Sequence, residues 1–150
     1  MRPALACIVT SLALVTGCSS QEATSCRSVV VRDPMPDWAD AGFADGARVP
    51  HVFGSAGQII VVPFAGTLVA TQELAPRNKV LLIARQSLQQ VTPVSIEAQH
   101  AGSGERVHRD REIGPGSLDM PSAGCWRLTM RWGDQTDTID LEYVDEQQAS

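Results

Sequence analysis

The chain has 150 residues, 43% of them hydrophobic, which is enough for one core and crowded for two domains. Its formal charge is −5, from 12 basic and 17 acidic residues, with no basic run. Affinity for nucleic acid comes mainly from clustered Lys and Arg on phosphates, so this balance argues against that partner and reads as solubility.

Met1-Arg2-Pro3 is a short basic start, followed at 4–15 by ALACIVTSLALV, broken only by Thr10 and Ser11. Twelve residues are too few to span a bilayer, which needs roughly 20, and they fit the apolar region of an export signal. The run ends in Val15-Thr16-Gly17-Cys18. A branched apolar residue, two small residues and a cysteine resemble the lipobox of bacterial prolipoproteins. The resemblance implies that the Cys18 thiol is diacylglycerylated, that the signal 1–17 is removed, and that Cys18 heads the mature chain. Two acyl chains make a durable anchor where one holds only marginally. The expected location is therefore the extracytoplasmic face of the cell membrane, with the membrane itself as a partner through the lipid anchor. Losing Arg2 leaves 11 basic and 17 acidic residues, a net −6.

The polar stretch SSQEATS, 19–25, reads as a flexible tether, so 18–26 forms the lipidated cysteine and its leash. Beyond it the dominant signal is strand. Segments 27–32, 58–64, 67–71, 79–85, 92–98, 125–132 and 137–144 are short, rich in Val, Ile, Leu and Thr, and bounded mostly by Gly, Pro, Asp or Asn. About seven strands and no confident helix predict an all-β domain over 27–145, an antiparallel sandwich or barrel, with 146–150 as a polar tail. The alternating charges of ERVHRDREI, 105–113, fit a further, solvated strand.

The last two strands specify their own pairing. Trp126, Leu128, Met130 and Trp132 share one face, and Ile139, Leu141 and Tyr143 share one face of the next segment. For both faces to coincide, paired positions must sum to an odd number, giving a loop of two residues, Gly133-Asp134, or of four. Gly at the first central position favours two. Either register sets Arg127 opposite a carboxylate, Asp140 or Glu142, on the solvent face.

Residues 33–57, DPMPDWADAGFADGARVPHVFGSAG, form a long irregular stretch holding three of the seven aromatics. Asp37 is placed to cap a short helical turn over 38–42. Buried aromatics argue against disorder, so the stretch either covers a core or contacts a ligand. Trp38, Phe43, His51 and Phe53 are its candidate partner contacts, with an envelope protein as the candidate partner.

With Cys7 removed and Cys18 lipidated, Cys26 and Cys125 remain. An even pair in an exported protein is expected to form a disulfide, with two buried free thiols as the alternative. Cys125 shares parity with Arg127, so the bridge leaves its strand away from the core and staples the tether to the sheet's edge or corner. PSAGCWRLTMRWGDQTDTIDLEYV, 121–144, resembles the closing hairpin of small bacterial lipoproteins with an immunoglobulin-like ectodomain, which often carry a Pro-x-x-Gly-Cys-Trp turn. That resemblance covers about a third of the mature chain with the lipobox, and implies an immunoglobulin-like β-sandwich with no activity to carry over.

No catalytic or metal constellation stands out. His51, His100 and His108 lack zinc-ligand spacing, and Asp33, Asp37, Asp40 and Asp45 lack the alternate-oxygen pattern of a calcium loop. GSAG at 54–57 lacks the spacing of a nucleophile elbow, and GSGE at 102–105 lacks the Lys of a phosphate loop. The reading is a membrane-anchored lipoprotein whose sandwich acts as a binding or structural module of the envelope, with no cofactor. The alternative is an envelope enzyme or enzyme inhibitor using the 33–57 stretch, which would gather His51 with a carboxylate.

Overall fold

The structure is a computed structural model that describes residues 26, 29–39, 42–44, 46–71, 78–85 and 92–148. The expected signal, Cys18 and the tether up to residue 25 lie outside the described residues.

The described residues form nine strands in chain order: β1 (Val52–Phe53), β2 (Ile59–Pro63), β3 (Leu68–Val69), β4 (Lys79–Ala84), β5 (Pro93–His100), β6 (Arg106–Glu112), β7 (Gly114–Ser117), β8 (Gly124–Trp132) and β9 (Gln135–Val144). They form a β-sandwich of a four-stranded sheet, ordered β1-β2-β4-β7, and a five-stranded sheet, ordered β3-β9-β8-β5-β6. Every pairing is antiparallel except β3 on β9, which is parallel. The all-β sandwich expected from the sequence is the fold.

Alternation builds the interior. Val80, Leu82 and Ala84 of β4 face Val94, Ile96 and Ala98 of β5, with Trp126, Leu128, Met130 and Trp132 of β8 between their neighbours. Ile139, Leu141 and Tyr143 complete the layer. The hairpin has the expected two-residue turn: Trp132 pairs with Gln135, and Arg127 with Asp140. Gly133 takes φ 54°, as a two-residue turn requires at its first central position.

β2 breaks the alternation, because all five of its residues are buried. Ile59 and Val61 meet the inner core, while Ile60 and Val62 meet a second cluster formed with Met35, Trp38, Ala39, Phe43 and Val49. The described residues of 35–49 are thus a roof over the outer face of the four-stranded sheet, while Val52–Phe53 joins the sheet itself as β1. A near-continuous apolar run is what burial on both faces demands. Within the roof, Asp37–Ala39 forms a 3-10 turn, and positions 40 and 41 of the expected helical turn lie outside the described residues.

Four expectations are corrected. Residues 29–32 are not a strand: only Val31 bridges, to His51, and Val29 and Val30 are 72% and 50% exposed. Among the described residues this segment meets the sheet at that one bridge, beside the β1 edge. The strand at 67–71 shrinks to Leu68–Val69, because the buried Asn78 side chain takes the place of a neighbouring strand. Its Oδ1 accepts from Val69 N–H at 2.8 Å and its Nδ2 donates to Val69 C=O at 2.7 Å. β1 falls in a stretch read as irregular, and β7, Gly114-Pro115-Gly116-Ser117, hides behind turn chemistry. The Arg127 pair is only half solvated: Arg127 is 55% exposed but Asp140 is 10% exposed.

Candidate functional site

Cys26 and Cys125, 99 positions apart in sequence, are joined by a disulfide with Cα atoms 5.3 Å apart. Cys125 lies on the outer side of its sheet, opposite to buried Trp126, as parity requires. It is the second residue of β8, which lies between β9 and β5, so the staple reaches the end of an interior strand rather than an edge strand. Trp126 behind it donates its indole N–H to Ser122 C=O at 2.8 Å and meets His100 edge-on, ring centroids 5.1 Å apart.

His100 locks the turn preceding that strand. Its Nδ1 accepts the N–H groups of Gly102 and Ser103, at 3.2 and 2.9 Å, so the proton sits on Nε2, which donates to Ala123 C=O at 2.9 Å. Gly124 is required beside it: φ is 124°, and a Cβ there would overlap the His100 ring at Nε2. The glycine of the Gly-Cys-Trp turn is set by this contact.

The candidate partner contacts divide. Trp38 and Phe43 pack into the roof, half-buried against Ile60 and Val62, and the Arg85 guanidinium lies 5.0 Å from the Trp38 ring centre. They cover the sheet and do not form a flat exposed patch. His51 is fully buried; its Nδ1 donates to Val49 C=O at 2.8 Å and its ring meets Phe53 edge-on at 5.0 Å. That tautomer leaves Nε2 as an acceptor with no partner among the described residues. A general base needs its nitrogen within about 3 Å of a substrate proton, and this one has no access to solvent. A hollow of ≈ 330 Å³ within the roof, walled by Met35, Asp37, Phe43 and Ala47, has no histidine in its lining. The gathering of His51 with a carboxylate that an enzyme would need is not formed among the described residues. Phe53 is 38% exposed, the only one of the four that reaches solvent appreciably as a large hydrophobic.

His108 lies exposed on β6 between Glu97, 2.7 Å from Nδ1, and Asp110, 3.0 Å from Nε2. The hydrogen bonds to Asp110 and then Glu97 raise its pKa above 6.5. Arg111, on the same strand, points inward; burial lowers its pKa, and it donates to Gly114 C=O at 2.9 Å. Tyr143 donates to Leu118 C=O at 2.7 Å, and burial pushes its phenol well above 10.

Two features escaped the sequence. Asp137 is 2% exposed, and its carboxylate accepts the backbone N–H groups of Ala56, Gln58 and Thr138 at 2.7–2.8 Å. It pins the β1–β2 turn to β9, and a Cβ at Gly54 would overlap it. The signal was legible, since position 137 shares the inward parity of Ile139, Leu141 and Tyr143. The second is an apolar margin. Val29, Val30, Phe53 and Phe64 are exposed, and a hollow of ≈ 260 Å³ opens there between Val30, Val52, Leu68 and Glu142. No protein-family model matches the chain, and no curated protein or solved structure matches it either.

Proposed function

We propose that the protein is a bacterial envelope lipoprotein, anchored through Cys18 to the extracytoplasmic face of a membrane, whose β-sandwich is a binding or structural module. The observation that carries this reading is the Cys26–Cys125 bridge. Disulfides persist in oxidising compartments outside the cytoplasm, which is where an export signal and a lipobox would deliver the chain. The bridge also suits the role. Tension from an anchor at Cys18 passes through the disulfide to the interior strand β8, bypassing the segment 27–32.

The strand order supports an immunoglobulin-like variant of the sandwich. β2, β4 and β7 correspond to strands A, B and E of that fold, and β9-β8-β5-β6 to G, F, C and C′. The disulfide departs from the pattern, since it joins F to the chain ahead of the sandwich on an outer face instead of crossing the core.

Intact mass of the protein purified from its native membrane, before and after reduction and alkylation, tests the reading. The expected mass is that of 18–150 plus a diacylglyceryl group, with alkylation only after reduction. A chain that keeps its first seventeen residues, or alkylates freely, ends the proposal. Cys18→Ala is expected to leave the detergent phase.

A further inference from the structure

The exposed large hydrophobics gather on one margin of the sandwich. Val31 bridges His51 antiparallel, and that register carried two residues outward sets Val29 across from Phe53 and Val30 across from Val52. Val30 and Pro63 wall the ≈ 260 Å³ hollow, and Phe64 follows Pro63 directly. Of these exposed side chains, Val29, Val30, Phe53 and Phe64 at 72, 50, 38 and 56%, Val30 walls the opening between the two sheets, and the other three stand on the adjoining segments: Val29 just before it, Phe53 on the β1 edge and Phe64 at the end of β2. The opposite edge strand, β6, reads RVHRDRE and is mostly exposed and charged. An apolar patch confined to one margin marks a surface that meets something other than water.

The chain leading to the anchor leaves from the same margin. Cys26 is bonded to Cys125, Cys125 is the cross-strand partner of Glu142, and Glu142 walls the hollow. Seven residues, 19–25, separate Cys18 from Cys26. Eight Cα steps reach at most about 29 Å extended, and a flexible chain of that length averages about 15 Å. A folded domain of this size has a radius of gyration near ~14 Å, so its diameter exceeds the mean length of the leash. A domain held so short presents the margin beside Cys26 to the lipid.

Resting on the lipid-anchored reading above, we propose that Val29, Val30, Phe53 and Phe64 form the face by which the sandwich lies on the phospholipid surface, its side chains at the headgroup boundary. Exposed Arg32 follows the bridge, and exposed Lys79 stands beside Phe64, whose N–H donates to Lys79 C=O at 3.1 Å. Both cations are placed for phosphate groups, while Glu142 on the far wall offsets them, so contact is driven by apolar area and changes little with salt. Four partly inserted side chains hold weakly alone. The anchor makes the contact intramolecular and supplies the effective concentration that it needs.

Tryptophan substitution reads the face directly. Phe53→Trp, Phe64→Trp and, on the far edge, Glu112→Trp are each purified from native membrane, weighed for the lipid, and reconstituted into phosphatidylcholine vesicles with or without bromine on the acyl chains. A cooperative thermal melt like that of the native chain shows that each variant has folded. The added emission at 53 and 64 is expected to fall about twofold on brominated lipid, because groups at this boundary lie within about 10 Å of the acyl carbons, while that at 112 stays unchanged. A lipidated protein whose three probes are quenched alike overturns this face, leaves the anchor standing and assigns the patch to a protein partner. A protein without the diacylglyceryl mass overturns both.

Discussion

The two sheets of the sandwich treat their outer faces differently. The four-stranded sheet turns Ile60, Val62, Leu81 and Ile83 outward and hides them under Met35, Trp38 and Phe43. The five-stranded sheet turns Glu97, His108, Arg127 and Arg131 outward and leaves them in water, apart from Asp140 and the disulfide. One outer face is held by burial and the other by a covalent bond and ion pairs. Burial is non-directional and scales with area, so an irregular segment suffices as a roof. Ion pairs in water contribute little, so a bare face needs another source of rigidity.

The largest expected effect falls on the bare face. Reducing Cys26–Cys125, or replacing both by Ala, releases a loop near a hundred residues and is expected to cost about 4.7 kcal/mol in the chain-entropy model, read as a shift of the urea midpoint. A shift under a third of that would mean that the roof and core alone hold the fold. Next comes Ile60→Ala beneath the roof, with an expected loss of about 3 kcal/mol, against less than about 0.5 kcal/mol for Thr129→Ala on the bare face. Equal losses in chemical denaturation would erase the distinction between the faces.

Arg127→Ala sharpens it at smaller scale. The guanidinium meets Asp140 at 2.8 and 3.0 Å, and Asp140 is nearly buried, so an expected loss of about 1 kcal/mol exceeds what an exposed pair gives. A double-mutant cycle with Asp140→Asn measures it. Smallest is His108. Its folded pKa is raised, so its contribution is complete below the ordinary 6.5 and is lost as pH rises through the folded value. Thermal melts from pH 5 to 9 are expected to show a gentle decline in that window for the native chain, and His108→Gln is expected to flatten it.

Legibility followed the range of each interaction. The β8–β9 hairpin was readable to the residue because Trp126–Trp132 and Ile139–Tyr143 each alternate and are joined by a two-residue turn, so parity and loop chemistry agree. RSVVVR at 27–32 has the composition of a strand, yet of its described residues, 29–32, only Val31 bridges, to His51 at the β1 edge. His51 was expected as a partner contact and proved fully buried, since nothing nearby in the sequence tells that Val31 pairs over it.

The sequence by itself determined the all-β class, the hairpin register, the outward parity of Cys125 and the solvated charges of β6, since each depends on side-chain alternation over a few residues. Only the tertiary structure decided that β2 is buried twice, that Asn78 and Asp137 replace missing backbone partners, and that Val30 shares a hollow with Glu142. Those outcomes depend on what segments distant in the chain place against a given face, and a period-2 pattern records that a face is apolar without recording what will cover it.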